Sequence, residues 1–413
     1  MNFFTIFFVT IFLIQTAEAT NLNDAIDIAK ANNKNIKFED YKLEATKSLK
    51  SEARGAFLPS VSASGQYGQR KSNSGSNANN YNSNQVEELK VEQPLFDGFG
   101  SVAKYNEADY KVQSATMQNH SRKQEITFEA ARAYCDLFRH QEIVKIQQEN
   151  IEVADQISEL AKRRKKKKFV DESDAIKFQY ELENTRTKQF EAESKLLKAK
   201  FEYRNIVGEL HENLTVPTIA EEKFDERKTV ELALTNNQNL KSYRLNYLAS
   251  KSAYSAEKSA FAPSVSMVGS VSRQKNPLYL NGQDFSNRSV FINVSVPIFQ
   301  KGVEYSNLAK ANNQSSAARE ELEVNKAELI KDVGQSIQEY NFYLKMNRSN
   351  EELFNLAQSR VGILTKRVTA GAEDVIELLR AKIEFNGRKI DLINAQMDLV
   401  TTHYKIKFLT GEI

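Results

Sequence analysis

The 37 residues AKANNKNIKFEDYKLEATKSLKSEARGAFLPSVSASG, Ala29–Gly65, are written a second time as ALTNNQNLKSYRLNYLASKSAYSAEKSAFAPSVSMVG, Ala233–Gly269. The shift is 204 with no gap, and 16 of the 37 positions are identical. They include Asn32/Asn236, Asn33/Asn237, Asn35/Asn239 and the block Ala56-Phe57-x-Pro59-Ser60-Val61-Ser62 against Ala260-Phe261-x-Pro263-Ser264-Val265-Ser266. After one residue of slippage in a polar loop the shift becomes 203, and it holds from Pro94/Pro297 and Phe96/Phe299 through Ala108/Ala311, Arg164/Arg367 and Ala192/Ala395 to Gly208/Gly411. The chain therefore reads as two structural repeats, 20–210 and 229–413, joined by a linker over 211–228 that contains Pro217.

Each repeat has the same layout. The first holds a helical stretch of about 35 residues (Asn23–Phe57), two strands within 59–95 around an Asn/Ser-rich loop, and a long helical hairpin over 100–208 that breaks near residue 170. The second holds a helix, two strands within 263–298 and a hairpin over 302–410 that breaks at Gly371. All six prolines, at 59, 94, 217, 263, 277 and 297, stay outside the hairpins, as uninterrupted helices require.

The strands alternate. Val61, Ala63 and Tyr67 oppose Ser60, Ser62 and Gln66; Leu89, Val91 and Leu95 oppose Glu88, Lys90 and Glu92. Val265, Met267 and Val271 oppose Ser264, Ser266 and Ser272, and Val290, Ile292, Val294, Val296 and Ile298 oppose Phe291, Asn293 and Ser295. Strands of about 10 residues with one apolar side suit an outer-membrane barrel. A soluble sheet with one wet face gives the same alternation. In lipid, four strands cannot close a barrel, because an open edge leaves backbone groups unpaired. A membrane reading thus requires oligomerisation, and three copies would supply twelve strands.

The helices are too long for a globule: Ser101–Lys168 would span about 100 Å at 1.5 Å per residue. Its seam runs at 4-3 spacing from Ile126, Ala130, Ala133 and Leu137 to Ala154, Ser158 and Ala161. The second repeat carries the counterpart from Leu329, Val333, Ser336 and Tyr340 to Val361 and Leu364. The return helices carry Phe178, Leu182, Ala192, Leu196, Ala199 and Tyr203 against Ala381, Phe385, Ala395, Leu399, Thr402 and Ile406. So narrow a seam suits coiled-coil packing. A plain periplasmic coiled-coil rod would explain the seam but not the strands or the duplication.

Composition excludes several classes. A net charge of +3 over 413 residues argues against a nucleic-acid partner. The apolar run Phe3–Ile14 followed by Ala17-Glu18-Ala19 reads as a signal peptide over 1–19, with Thr20 as the mature start. The alternative, an uncleaved anchor, needs about 20 apolar residues, more than the run supplies. The single Cys135 permits no internal disulfide and reads as a core residue. His120, His140, His211 and His403 are scattered without ligand spacing, and no Gly-rich phosphate loop is present. No enzyme, metal or cofactor is expected.

With these features in place, the chain resembles the TolC family of outer-membrane efflux proteins over essentially its whole mature length. The resemblance rests on Phe57-Leu58-Pro59-Ser60 and Phe261-Ala262-Pro263-Ser264, where each repeat's first strand begins. It rests also on Gln93-Pro94-Leu95-Phe96-Asp97-Gly98 and Val296-Pro297-Ile298-Phe299-Gln300-Lys301-Gly302, where the second strands end. Gly371-x5-Glu377-Leu378-Leu379-x-Ala381 is similar to the family's Gly-x5-Asp-Val-Leu-x-Ala helix-tip motif. What the resemblance implies is a mostly α chain with a small β part. Its duplicated long-helix hairpins would form a trimeric α-helical barrel, and its four strands would join a twelve-stranded outer-membrane β-barrel. It further implies a homotrimer in outer-membrane lipid of a Gram-negative bacterium, with a long periplasmic portion. The partners would be a periplasmic adaptor (membrane fusion) protein and an inner-membrane pump of RND, ABC or MFS type. The activity would be an exit duct for tripartite efflux or type I secretion.

The resemblance carries the family's tip acid onto Asp174 and Glu377. In a trimer each recurs three times about one axis, where converging carboxylates repel one another and attract cations. The other reading is an acid favoured by the dipole of a helix N-terminus, which also suits Asp171, Glu172, Glu373 and Asp374. Three positions depart from the family: Lys168 stands where the tip Gly is expected, Glu373 where a gate-locking Arg is, and Arg380 where a second constriction acid is. Asp174, Glu377 and Arg380 are therefore the expected constriction, with Arg380 pairing an acid of its own ring. Lys168, Gly371, Arg164 and Arg367 are the expected tip turns and adaptor-docking residues. The basic run Lys162–Lys168 reads either as a solvated helix terminus or as a docking collar for an acidic surface. Three functions stay open: an exit duct, a periplasmic coiled-coil interaction protein without a pore, and a surface adhesin using its Asn/Ser loops.

Overall fold

The structure, a computed structural model, describes residues 20–72, 80–166, 171–211, 213–275 and 284–413. The expected signal segment 1–19 and Lys168 lie outside the described residues. The first repeat forms α1 (Leu22–Asn32), α2 (Lys34–Gly55), β1 (Ser60–Ser72), β2 (Asn80–Phe96), α3 (Gly100–Lys166) and α4 (Glu172–Val207). The second forms α5 (Glu226–Asn236), α6 (Gln238–Lys258), β3 (Ser264–Lys275), β4 (Phe285–Ser295), α7 (Val303–Thr369) and α8 (Val375–Thr410). The long helices match in length: α3 and α7 each have 67 residues, α4 and α8 each have 36.

The single helix expected over Asn23–Phe57 is two helices. Asn33 sits extended at φ −64°, ψ 124° and ends α1. Its side chain accepts from Asn35 N–H at 2.8 Å and donates to Ile206 O at 2.9 Å. Asn237 does the same work between α5 and α6, accepting from Leu240 N–H at 2.9 Å. Asparagine offers the backbone a local partner that competes with the helix ladder, so both repeats break where the sequence pattern alone runs on.

The chain divides into two compact units, each drawing on both repeats: residues up to 36 with 122–236 and 330–413, and residues 37–121 with 237–329. In the latter, the sheet runs β1-β2-β3-β4, antiparallel throughout. One row across it is Val61, Val91, Gly269, Val290; the next on the same face is Ala63, Leu89, Val271, Arg288. Because side chains alternate along a strand, this register gathers the apolar residues of all four strands on one face. That face is bare: Val290, Ile292 and Val294 are 72%, 67% and 66% exposed. β1 and β4 each pair on one side only, so the sheet has two open edges. The register slips between Pro94 and Phe96, where proline has no N–H to give the ladder. Gly98 then turns the chain at φ +68°, and a Cβ there would lie 2.3 Å from Ala262 Cβ. In the same unit, Ser114 and Ser242 hydroxyls meet at 2.9 Å, and Asn119 donates to Asp40 at 2.7 Å.

In the other unit the expected seam is the covered one: Ile126, Ala130, Ala133, Leu137, Ala154 and Ala161 on α3 are buried, as are Val333, Tyr340 and Leu364 on the α7 side. Cys135 is buried among them, and burial pushes its thiol up to about 12. The two hairpins join through α3 and α8: Asn386 donates to Asn150 at 2.9 Å, Arg139 to Asp398 at 2.5 Å, and Phe128 stacks on Phe408 with centroids 6.0 Å apart. That leaves α4 and α7 as the outer helices of the set. The linker is strapped down rather than loose. Thr215 N–H donates to Thr20 O at 3.2 Å, Glu222 N–H to the Tyr340 hydroxyl at 3.1 Å, and Arg348 pairs with Glu221 at 2.6 Å.

Candidate constriction and docking site at the helix tips

The two hairpin turns are built by equivalent caps. Asp171 caps α4, its side chain accepting from Glu172 N–H; Asp374 caps α8, accepting from Ile376 N–H at 2.9 Å. The turn after α7 closes with Ala372 N–H donating to Arg367 O at 2.9 Å and Gly371 N–H to Val368 O at 3.0 Å, with Gly371 at φ +72°. That pair of bonds around a left-handed residue is a Schellman closure, and a Cβ at 371 would strain it. Beneath the turns, Ile157 and Ala161 of α3 pack with Phe178 of α4 and Ile376 and Leu379 of α8.

Over this small core lies a set of ion pairs. Arg164 grips Asp374 with both guanidinium nitrogens, at 2.6 and 2.8 Å, joining α3 to the cap of α8. Arg367 pairs with Glu373 at 3.1 Å. Arg360 pairs with Glu377 at 2.7 Å and also binds Glu384. From the basic run, Lys162 pairs with Glu159 and Lys165 with Glu172, at 2.9 and 2.8 Å. Arg163 and Lys166 form no salt bridge among the described residues.

The expected site residues are thus differently placed. Asp174 is exposed in the first turn of α4 and has no ion-pair partner among the described residues. Glu377 is half-buried and held by Arg360. Arg380 is exposed and lies over the Phe178 ring, 5.3 Å from its centroid, and forms no salt bridge among the described residues. Arg164 and Arg367 are engaged with acids. Sequence reasoning passes over Arg360, and it reads Asp374 as a helix N-terminal acid without its partner Arg164. Arg164 and Asp374 are 210 positions apart in different repeats, and no local pattern couples them.

The Arg164 guanidinium holds the Asp374 carboxyl below the usual carboxylate range, with the Ile376 N–H assisting and partial burial opposing. A depressed folded value means that the pair's stabilisation is present above the unfolded value, about 3.9, and is lost as pH falls through the folded one. Asp374→Asn keeps the cap but not the charge. We expect it to cost at most about 1 kcal/mol at pH 7, the range for part-exposed pairs. Wild-type and variant melting temperatures should then converge below about pH 4. A gap undiminished at pH 3 would assign the loss to packing instead.

Known proteins share this architecture. A family model described as "Outer membrane efflux protein" matches residues 25–209 and 229–412. The chain is 19% identical to outer membrane efflux protein BepC of Brucella suis biovar 1, over 87% of this chain and 78% of that protein. It is 20% identical to outer membrane protein TolC of Salmonella enteritidis, over 96% of this chain and 83% of that protein. Among solved structures, the outer-membrane channel OprN matches with a TM-score of 0.80 at 17% identity, covering 95% of this chain and 90% of that one. Outer membrane protein VceC from Vibrio cholerae matches with 0.79 at 14%, covering 94% and 96%. Among the described residues, no helix is long and apolar enough to cross a membrane.

Proposed function

The chain belongs to the outer membrane efflux protein family, and on that premise we propose that three copies close one passive exit duct through the outer membrane. The observation that carries the reading is the open sheet: four strands, one bare apolar face, and free edges at β1 and β4. Lipid does not tolerate those edges. Joining β4 of one protomer to β1 of the next removes them, and three copies of four strands give a closed barrel of twelve.

The helices support the same closure independently. Besides its buried seam, α4 carries Ile176, Tyr180, Phe190, Leu197 and Phe201 in a second heptad stripe, and α7 carries Phe342, Met346, Leu353, Leu356 and Ile363 in another. All ten are exposed in the single chain. They lie on the two outer helices, one stripe each. A contact between unlike faces generates a ring when its rotation closes, so α4 of one protomer meets α7 of its neighbour.

In this assembly the sequence repeats are 20–210 and 229–413, with 211–228 as their strap. Asp174, Glu377 and Arg380 line the periplasmic constriction. Lys168, Gly371, Arg164 and Arg367 form the tips that meet a periplasmic adaptor, which couples the duct to an inner-membrane pump of RND, ABC or MFS type. The duct catalyses nothing, so the energy comes from that pump.

Purified protein added to planar bilayers should give stepwise ion conductance and run as a trimer by native mass. A periplasmic rod without a pore would fractionate away from the outer membrane and give no steps, and that result would overturn the duct. Photo-cross-linkers at Arg163 and Lys166 should capture the adaptor. Capture from the far ends of β1 and β2 instead would invert the topology.

A further inference from the structure

We propose that the membrane face of the sheet holds a lipid site, an acyl-chain groove over Gly269 with Arg288 at its end to bind a phosphate headgroup. This rests on the reading above that the apolar face meets lipid. The groove is about 300 Å³, at the lower end of ligand-cleft volumes, and is lined by Leu89, Val91, Val271 and Val290 around the missing side chain of Gly269. Gly269 is in regular strand, and a Cβ there would meet nothing nearer than Ser289 O and Val290 Cγ2, both at 4.0 Å. Neither backbone conformation nor crowding calls for glycine. What its absent side chain provides is the groove.

Arg288 closes one end. Along β4 the apolar face runs Val294, Ile292, Val290, and the next residue on it is Arg288, directly opposite Val271. Arg288 is exposed and has no carboxylate partner among the described residues. Its neighbour on the same face, Arg273, is paired with Asp284 at 3.2 Å. A guanidinium at the edge of a lipid-facing apolar band stands at headgroup depth, where an anion can meet it, and its fork geometry matches phosphate oxygens. β4 leads from Arg288 towards α7, so Arg288 lies at the side of the apolar band away from the helices. The occupant is therefore a phosphate-bearing lipid of the leaflet farther from the helices. A second copy of the chain does not compete for the groove, because copies join at the β1 and β4 edges while Gly269 lies on the interior strand β3.

The test uses the detergent-purified trimer, with dioleoylphosphatidylglycerol and the phosphate-free dioleoylglycerol as probes and lipid retained per trimer read by native mass spectrometry. Wild type should prefer the anionic lipid by about fivefold, the ratio one partly desolvated ion pair of about 1 kcal/mol supplies. Arg288→Gln should retain the two lipids equally, and Arg288→Lys should restore part of the preference. Gly269→Val should reduce retention of both lipids, because it fills the groove and leaves the charge. Glycerol 3-phosphate, which has the phosphate without the chains, should not compete. An unchanged preference in Arg288→Gln, or unchanged retention in Gly269→Val, would overturn the lipid site. Channel conductance separates this from failure of the barrel reading. Neither variant should alter ion selectivity, and if Arg288→Gln did, the apolar face would line the pore and the reading beneath the proposal would fall.

Discussion

Replacing Asp174 with Asn and Glu377 with Gln is expected to lower the duct's preference for cations on the order of tenfold. That corresponds to a loss of about 1.4 kcal/mol of favourable potential per ion at the constriction. Two acids in each of three chains place six carboxylates about one axis, and converging charges focus the field in a narrow, low-dielectric passage. The two acids should not contribute equally. Glu377 is already tied to Arg360 at 2.7 Å, whereas Asp174 has no ion-pair partner among the described residues. Asp174→Asn alone should therefore account for most of the change, and Glu377→Gln for little. Arg380→Ala should act oppositely, because it removes a cation that lies over an aromatic ring and leaves the acids unopposed. Block by multivalent cations should weaken in the double variant. All these effects should shrink at 1 M salt, where the screening length is about 3 Å. If wild type and the double variant give the same reversal potential across a salt gradient, the acids face solvent outside the pore.

The second large effect is expected from a charge placed in the outer stripes. Phe190 and Leu356 are 68% and 61% exposed in the single chain, so Phe190→Asp or Leu356→Asp disturbs little packing within it. In the closed ring each would be buried against the neighbouring protomer, and the substitution would put a bare carboxylate into an apolar seam. Losing the buried side chain costs roughly 1.5–3 kcal/mol, and the unpaired charge adds several more. The same defect recurs at each of the three interfaces. The trimer should be lost from native mass spectra and light scattering while far-UV dichroism keeps its helical signal. Phe190→Leu, which keeps the stripe apolar, should assemble. A trimer unaffected by Phe190→Asp would show that the stripe is not the interface and that closure relies on the strands alone.

Much of this protein was legible in its residues. The duplication follows from the shifted identity of Ala29–Gly65 and Ala233–Gly269, and the helical character of both long hairpins follows from the absence of all six prolines from them. The apolar sides of the four strands follow from period-two alternation, and the register later gathered them on one face. These properties are local: a proline stops its own helix, and alternation orients the side chains of its own strand. The breaks at Asn33 and Asn237 were less legible, because an asparagine side chain can serve either a helix surface or a cap, and only the neighbouring backbone decides which.

What only the tertiary structure decided is which partner each local surface takes. Alternation tells a strand which face is apolar but not which strand lies beside it, because backbone hydrogen bonds do not distinguish one strand from another. The chain pairs β2 with β3 and so leaves β1 and β4 as its edges. Heptad spacing marks two stripes on α4, yet only packing shows that the stripe containing Phe178 and Leu182 is covered within the chain and the stripe containing Phe190 and Leu197 is not. At the tips, the sequence placed acids and arginines in equivalent turns. The pairing of Arg164 with Asp374, and of Arg360 with Glu377, depends on which helices stand side by side, because a charge pairs with whichever opposite charge the packing brings within a few ångströms.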